Sequence, residues 1–243
     1  MKSRPSYQSS IIKFYQRLDT CKKIISPTLN LQYDNRVKLL FSNPSSIKEF
    51  FLDENRVDKL KKEISKKSPL IRAILSKNKR PNFVIDLTGG FGFDTIQIAC
   101  YGINVIYVEK NPVVFFIFNE FLSRIGVYDI KLATRIKTIN MDSILFCDLV
   151  GTKFPYPDTV YIDPMFPENY KRKAKEKKYM QVLKTLIKLD DQKEEELFER
   201  AYSISNKKII IKRPAKITPS VINARYPTYK IKARGHRFDV YVK

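Results

Sequence analysis

Two regimes of apolar patterning meet near residue 80 of this chain. Residues 1 to about 28 are polar and basic and show no clear period. Leu29-Asn-Leu-Gln-Tyr33 and Arg36-Val-Lys-Leu-Leu-Phe41 flank Asp34-Asn35, which predicts a hairpin of two short strands. Between Asn55 and Leu75, the apolar residues Val57, Leu60, Ile64, Ile71, Ala73 and Ile74 recur at helical spacing. A helix is expected there, interrupted near Ser68-Pro69 because proline has no N–H to give to the ladder.

Beyond residue 82 the apolar runs become continuous, as expected of strands buried on both faces. They are Phe83–Leu87, Ile103–Val108, Ile136–Ile139, Thr159–Ile162 and Lys207–Lys212. Helical stretches separate them: Thr95–Tyr101, Pro112 to about Arg124, a short turn over Asp142–Asp148, Tyr179–Leu189 and Glu194–Ile204. Tyr229–Arg234 and Arg237–Val242 pair across Gly235-His236 as a terminal hairpin. Strands that alternate with helices imply βαβ units and a mostly parallel sheet. The expected architecture is α/β and Rossmann-like: a mostly parallel seven-stranded sheet with a terminal antiparallel hairpin over residues 81–243. A small α+β extension, a hairpin and a helix, occupies residues 1–80.

Composition changes this picture in one respect. Of 243 residues, 43% are hydrophobic, enough for a real core, but Lys and Arg total 46 against 25 acids, a net charge of +21. Such an excess draws a polyanion onto the surface, so nucleic acid is the expected partner and the N-terminal extension a candidate RNA contact. A coding bias toward lysine would enrich Lys without leaving the acids so far behind. The cysteines, Cys21, Cys100 and Cys147, lack zinc or disulfide spacing and read as packed thiols, so no metal is expected. The N-terminus lacks a signal-peptide core, and the densest apolar run, Val113–Phe118, is too short to span a bilayer. A soluble cytoplasmic protein without a membrane partner is expected.

The candidate chemistry lies at the strand ends, where open parallel sheets bind ligands. Asp86-Leu-Thr-Gly-Gly-Phe-Gly-Phe-Asp94 is a glycine-rich turn in which Gly90 and Gly92 let a ligand approach the backbone. It is neither a P-loop nor a full dinucleotide fingerprint. Asp86 and Asp94 would repel a phosphate but favour S-adenosylmethionine, which carries an ammonium and a sulfonium. Glu109 ends the second strand, where an acid accepts bonds from both ribose hydroxyls, and Lys110 frames the adenine. Asp142 and Ser143 follow the third strand and bond the adenine edge, or else simply cap a helix.

Asp163-Pro164-Met165-Phe166 closes the fourth strand. An exocyclic base amine is a poor nucleophile because its lone pair is delocalised into the ring. The Asp163 carboxylate and the Pro164 carbonyl would each accept one amine hydrogen, and Phe166 would stack on the base. The run Lys171-Arg-Lys-Ala-Lys-Glu-Lys-Lys178 follows directly. Lys171, Arg172 and Lys173 there read as phosphate contacts, against the bland alternative of a solvated segment. Lys212, Arg213, Arg234 and Arg237 read as further RNA contacts. His236, the chain's one histidine, is a turn residue or joins them.

Tyr161-Ile-Asp-Pro-Met-Phe-Pro167, Ile211-Lys-Arg-Pro214 and Gly235-His-Arg-Phe-Asp-Val-Tyr241 together resemble the RsmJ family. That family comprises bacterial 16S ribosomal RNA guanine(1516)-N2 methyltransferases that use S-adenosylmethionine on a class I methyltransferase fold. Glu109-Lys-Asn-Pro112 and the Asp86–Asp94 turn fit the same pattern, and the match covers about residues 50–243. The resemblance implies that Phe93 and Asp94, Glu109 and Lys110, Asp142 and Ser143, and Asp163 line the cofactor site. It also implies 16S ribosomal RNA or the small subunit as partner. The family usually has arginine where Phe93 stands, alanine where Gly89 stands, and a glycine-rich basic stretch at Lys61–Pro69. Two alternatives stand beside it: methylation of another base amine in RNA or DNA, and a non-catalytic RNA-binding assembly factor on the same fold.

Overall fold

The computed structural model describes residues 7–25, 29–43, 46–75, 79–164, 186, 194–216 and 224–243. The chain opens with helix α1 (Tyr7–Ile24), where no period was expected. Its Leu18 and Cys21 are buried, and Phe14 and Ile25 pack against the same cluster, a stripe at spacings of four, three and four residues. The expected hairpin forms as β1 (Leu29–Tyr33) and β2 (Val37–Asn43), turning at Asn35 with φ 57°. A further strand, β3 (Ser46–Phe50), extends it to a three-stranded antiparallel sheet. The expected broken helix is α2 (Asn55–Glu63) and α3 (Pro69–Ile74), with Pro69 in the first turn of α3.

The second sheet is built from β4 (Phe83–Asp86), β5 (Asn104–Glu109), β6 (Ile136–Asn140), β7 (Thr159–Ile162), β8 (Lys208–Pro214), β9 (Tyr229–Lys232) and β10 (His236–Val242). Between them run α4 (Phe93–Cys100), α5 (Pro112–Tyr128), α6 (Ile130–Ala133), α7 (Ser143–Cys147) and α8 (Glu194–Ile204). The expected helix over Tyr179–Leu189 lies, apart from residue 186, outside the described residues. Helix α5 starts where Pro112 needs no donor, and Asn111 Oδ1 accepts from Val113 N (2.9 Å) and Val114 N (3.1 Å). Strand order is β6-β5-β4-β7-β8-β10-β9. Strands β4 to β8 pair in parallel and β10 runs antiparallel to both β8 and β9. The order reverses at β4, so the loops after β4 and β7 lie side by side at the switch point, where such sheets take their ligands.

The N-terminal extension shares its core with the large sheet. Leu18, Leu31, Leu39, Val57 and Leu70 belong to one buried cluster with Ile96, Phe118, Ile125 and Tyr107. Lys208 on β8, 2% exposed, donates to the carbonyls of Ala73 (2.7 Å) and Leu75 (3.0 Å) at the end of α3. Its ammonium satisfies carbonyls that a helix end leaves without partners. Among the described residues, no helix is long and apolar enough to cross a membrane.

Candidate active site

The glycine turn is fastened to β5 from both sides. Tyr107 Oη donates to the Gly90 carbonyl (2.5 Å), and Gly90 N donates to Glu109 Oε2 (2.9 Å). At Gly92 the backbone has φ +72°, and a Cβ there would lie 2.0 Å from the Phe118 ring. Only glycine meets both conditions. Helix α4 begins at once, with Asp94 in its first turn.

Asp86 lies deeper than the sequence suggests. It is 1% exposed; Oδ2 accepts from Thr95 Oγ1 (2.5 Å) and Oδ1 from Thr88 N (3.1 Å). Burial pushes its pKa up to about 7, partly offset by those two bonds and reinforced by the charges of Asp94 and Asp163. Its influence on a ligand is therefore electrostatic rather than by contact.

Glu109 is also buried, 5% exposed, with Oε1 accepting from Asn111 N (2.7 Å). Burial raises its pKa against the pull of the Asn111 and Gly90 amides. Each carboxylate oxygen has two acceptor directions, so these bonds leave capacity for ribose hydroxyls. Lys110 beside it is exposed. Phe93 is half-buried under the Arg56 guanidinium, 3.7 Å from its ring centroid. Asp142 caps α7, accepting from Ile144 N (2.9 Å) and Leu145 N (3.4 Å). The Ser143 hydroxyl bonds the Leu87 carbonyl. Both side chains thus already hold loops together at the positions expected to border the adenine.

Asp163 emerges from the tip of β7 beside the glycine turn. Its backbone N donates to Thr88 Oγ1 (2.6 Å), and Asp163 and Pro164 are half-buried. Lys212 Nζ lies 2.8 Å from Asp163 Oδ2 and 2.7 Å from Asp94 Oδ2, and Tyr161 Oη donates to that Asp94 oxygen (2.6 Å). Burial works against an ionised Asp94, but the Lys212 charge and the bonds from Lys212 and Tyr161 outweigh it and lower its pKa. Lys212, expected to touch RNA, instead sits inside the site.

Other expected RNA contacts also move. Arg213 is 2% exposed and pairs with Glu194 and, at 3.8 Å, with Asp239. Arg237, 6% exposed, makes two bonds to Asp239 (2.7 and 3.1 Å) and reaches the Pro214 and Ala215 carbonyls. Both guanidiniums therefore serve the interior, because their strands are covered by α8. Arg234 is exposed at the hairpin turn, and His236 is half-buried, edge-on to Phe238. Phe166, Lys171, Arg172 and Lys173 lie outside the described residues. Thr88, Thr95, Tyr107 and Tyr161 also hold the site; their only sequence signal is position on or beside the turn and strand tips.

The sequence matches the family described as "Putative SAM-dependent methyltransferase" over residues 21–243. It is similar to proteins named ribosomal RNA small subunit methyltransferase J. That of Thioalkalivibrio sulfidiphilus is 34% identical over 72% of this chain and 67% of the relative. That of Francisella philomiragia is 32% identical over 80% of each. That of Francisella tularensis is 31% identical over 88% of this chain and 86% of the relative. A crystal structure of a SAM-dependent methyltransferase from Neisseria gonorrhoeae shares the fold, with TM-score 0.69 and 22% identity across 93% of this chain and 90% of that one.

Proposed function

The chain belongs to the SAM-dependent methyltransferase family that includes the ribosomal RNA small subunit methyltransferases J, and from that premise we propose that it methylates the exocyclic N2 amine of a guanine in small-subunit ribosomal RNA. The observation that carries this reading is the seat of Asp163. It stands at the switch point, bonded through its backbone to Thr88 of the glycine turn and through Lys212 to Asp94 of α4.

The strand-end residues suit S-adenosylmethionine. Asp86 and Asp94 favour a cationic ligand, Glu109 has acceptor capacity for a ribose, and the close-packed turn at Gly90 and Gly92 brings backbone rather than side chain to the ligand. Phe93, Lys110, Asp142 and Ser143 border the same edge. When bound, S-adenosylmethionine supplies a methyl group on a positively charged sulfur, which leaves as a neutral thioether.

Asp163 accepts one amine hydrogen and the Pro164 carbonyl accepts the other, which draws the nitrogen toward tetrahedral geometry. Phe166 stacks on the base. The nitrogen gives its lone pair to the methyl carbon and becomes cationic; its surplus proton leaves to Asp163 or water. Alignment and electrostatics suffice, with no strong base. The +21 net charge brings in RNA, with Lys171, Arg172, Lys173, Arg234 and His236 as its contacts. Such a substrate puts the protein with ribosomes in the cytoplasm.

The test incubates the protein with labelled S-adenosylmethionine and small subunits or their RNA, then digests the product to nucleosides. N2-methylguanosine is expected. Asp163→Ala should lower transfer by about 100-fold or more while calorimetry still detects cofactor binding. A labelled adenosine or cytidine, or no label at all, would refute the assignment.

A further inference from the structure

Parallel pairing of β7 and β8 sets Ile162 opposite Ile211, so the next residues along, Asp163 and Lys212, come out together at the strand tips. Lys212 follows Ile210 on the strand face that holds Tyr161 and Phe238, whereas Arg213 points to the other face and pairs with Glu194 of α8. Its ammonium meets Asp94 on one side and Asp163 on the other, at 2.7 and 2.8 Å. Burial disfavours the ammonium, but the two carboxylates outweigh it and hold Lys212 well above the ordinary lysine range. The charge on Lys212 is therefore permanent at working pH.

We propose that Lys212 is a positioning residue for methyl transfer, joining Asp94 on the cofactor side and Asp163 on the acceptor side into one fixed carboxylate–ammonium–carboxylate triad. The inference rests on the roles assigned to Asp94 and Asp163 above. One ammonium bonded to both acids fixes the rotation of each carboxylate, and so sets the direction from which Asp163 meets the amine.

The neighbours make the ammonium necessary. Asp86 on β4 adds a third carboxylate whose pKa already responds to Asp94 and Asp163. Tyr161 on β7 donates to Asp94, and His236 on β10 acts on Asp94 through its charge. Without Lys212, Asp94 and Asp163 would face each other across the space one ammonium now fills. Two carboxylates that close raise the pKa of one of them, which then keeps its proton to higher pH.

Lys212→Met, Asp94→Asn/Lys212→Met and wild type test this. Lys212→Met should lower kcat about 10- to 100-fold at pH 7 and move the acid limb of its pH profile up by about one unit or more. The double variant has one carboxylate fewer and should bring the limb back toward the wild-type position. Unliganded protein gives a second readout. A carboxylate pair with a raised folded pKa is stable while protonated and loses stability as pH rises, so Lys212→Met should lose ground to wild type between about pH 5 and 8. The double variant should not. An unmoved acid limb with a pH-independent stability offset would overturn the triad and leave Lys212 as packing. The two readings fail separately. A wild-type enzyme that labels adenosine refutes the guanine assignment while the limb shift still decides the triad; a guanine-methylating wild type with an unmoved Lys212→Met limb refutes the triad alone.

Discussion

Asp86 is an acid in a place that disfavours ionised acids. Its carboxyl is buried beneath the glycine turn, and its pKa rises from an ordinary 3.8 to about 7. The folded protein therefore keeps this proton over a pH range in which the unfolded chain has released it. The resulting stabilisation is complete below about pH 4 and is lost as pH rises through about 7, on the order of 4 kcal/mol for a shift from 3.8 to about 7. Asp86→Asn, neutral throughout, should gain stability on wild type as pH rises from about 5 to about 8. Denaturant unfolding at several pH values measures the difference, and a constant offset would show that the acid does not titrate there. A nearby cationic ligand favours the ionised form, which accounts for an acid at a site of this kind without direct contact.

At the scale of elements, neighbouring residues on one strand part company. Lys212 and Arg213 read alike in the sequence, yet alternation sends Lys212 to the acid pair and Arg213 to α8. Charge shows that a residue avoids apolar surroundings, but not which carboxylate will meet it from a strand far along the chain. Asp239, 0% exposed, is the counter-charge for both Arg213 and Arg237. Asp239→Asn should therefore destabilise the protein by about 3 kcal/mol, because it removes the carboxylate bonded twice to Arg237, while Arg213 keeps its pairing with Glu194. Arg234→Ala, at the exposed turn, should leave the unfolding midpoint unchanged and weaken only RNA binding. Equal effects from the two would remove the distinction between interior and surface arginines. The strands β4 to β8 were legible because continuous apolar runs and intervening helices leave few alternatives. The strand-tip acids were legible because their meaning is local: Asp86, Glu109 and Asp163 each close a run. Helix α1 was not, since its narrow stripe of Phe14, Leu18 and Cys21 sits among basic residues and finds its partner, Phe116, on α5 about a hundred positions later. The cap at Asp142 is legible too, since an Asp just ahead of a short apolar turn is a common N-cap, and its side chain accepts from Ile144 N.

For the whole molecule, the sign of charge differs between surface and site. Lys and Arg exceed acids by enough to give +21 overall, whereas the ligand end of the sheet carries Asp86, Glu109, Asp94 and Asp163, with Lys212 between the last two. The two fields suit two ligands: a polyanion held at the exterior and a cationic methyl donor held within. They also respond differently to salt. Contacts between exposed lysines and phosphates release counterions, so log K for single-stranded RNA should fall with log salt by about 0.7 per contact. Neutralising Lys171, Arg172 and Lys173 together should flatten that slope by about 2 if all three reach phosphates. The buried carboxylates act over short, poorly screened distances. Raising salt from about 50 to 200 mM should therefore weaken RNA binding by orders of magnitude while cofactor affinity changes by less than about threefold. Filter binding measures the first and calorimetry the second. If cofactor affinity fell as steeply as RNA affinity, the strand-tip acids would be acting through solvent, and the separation of the two fields would be lost.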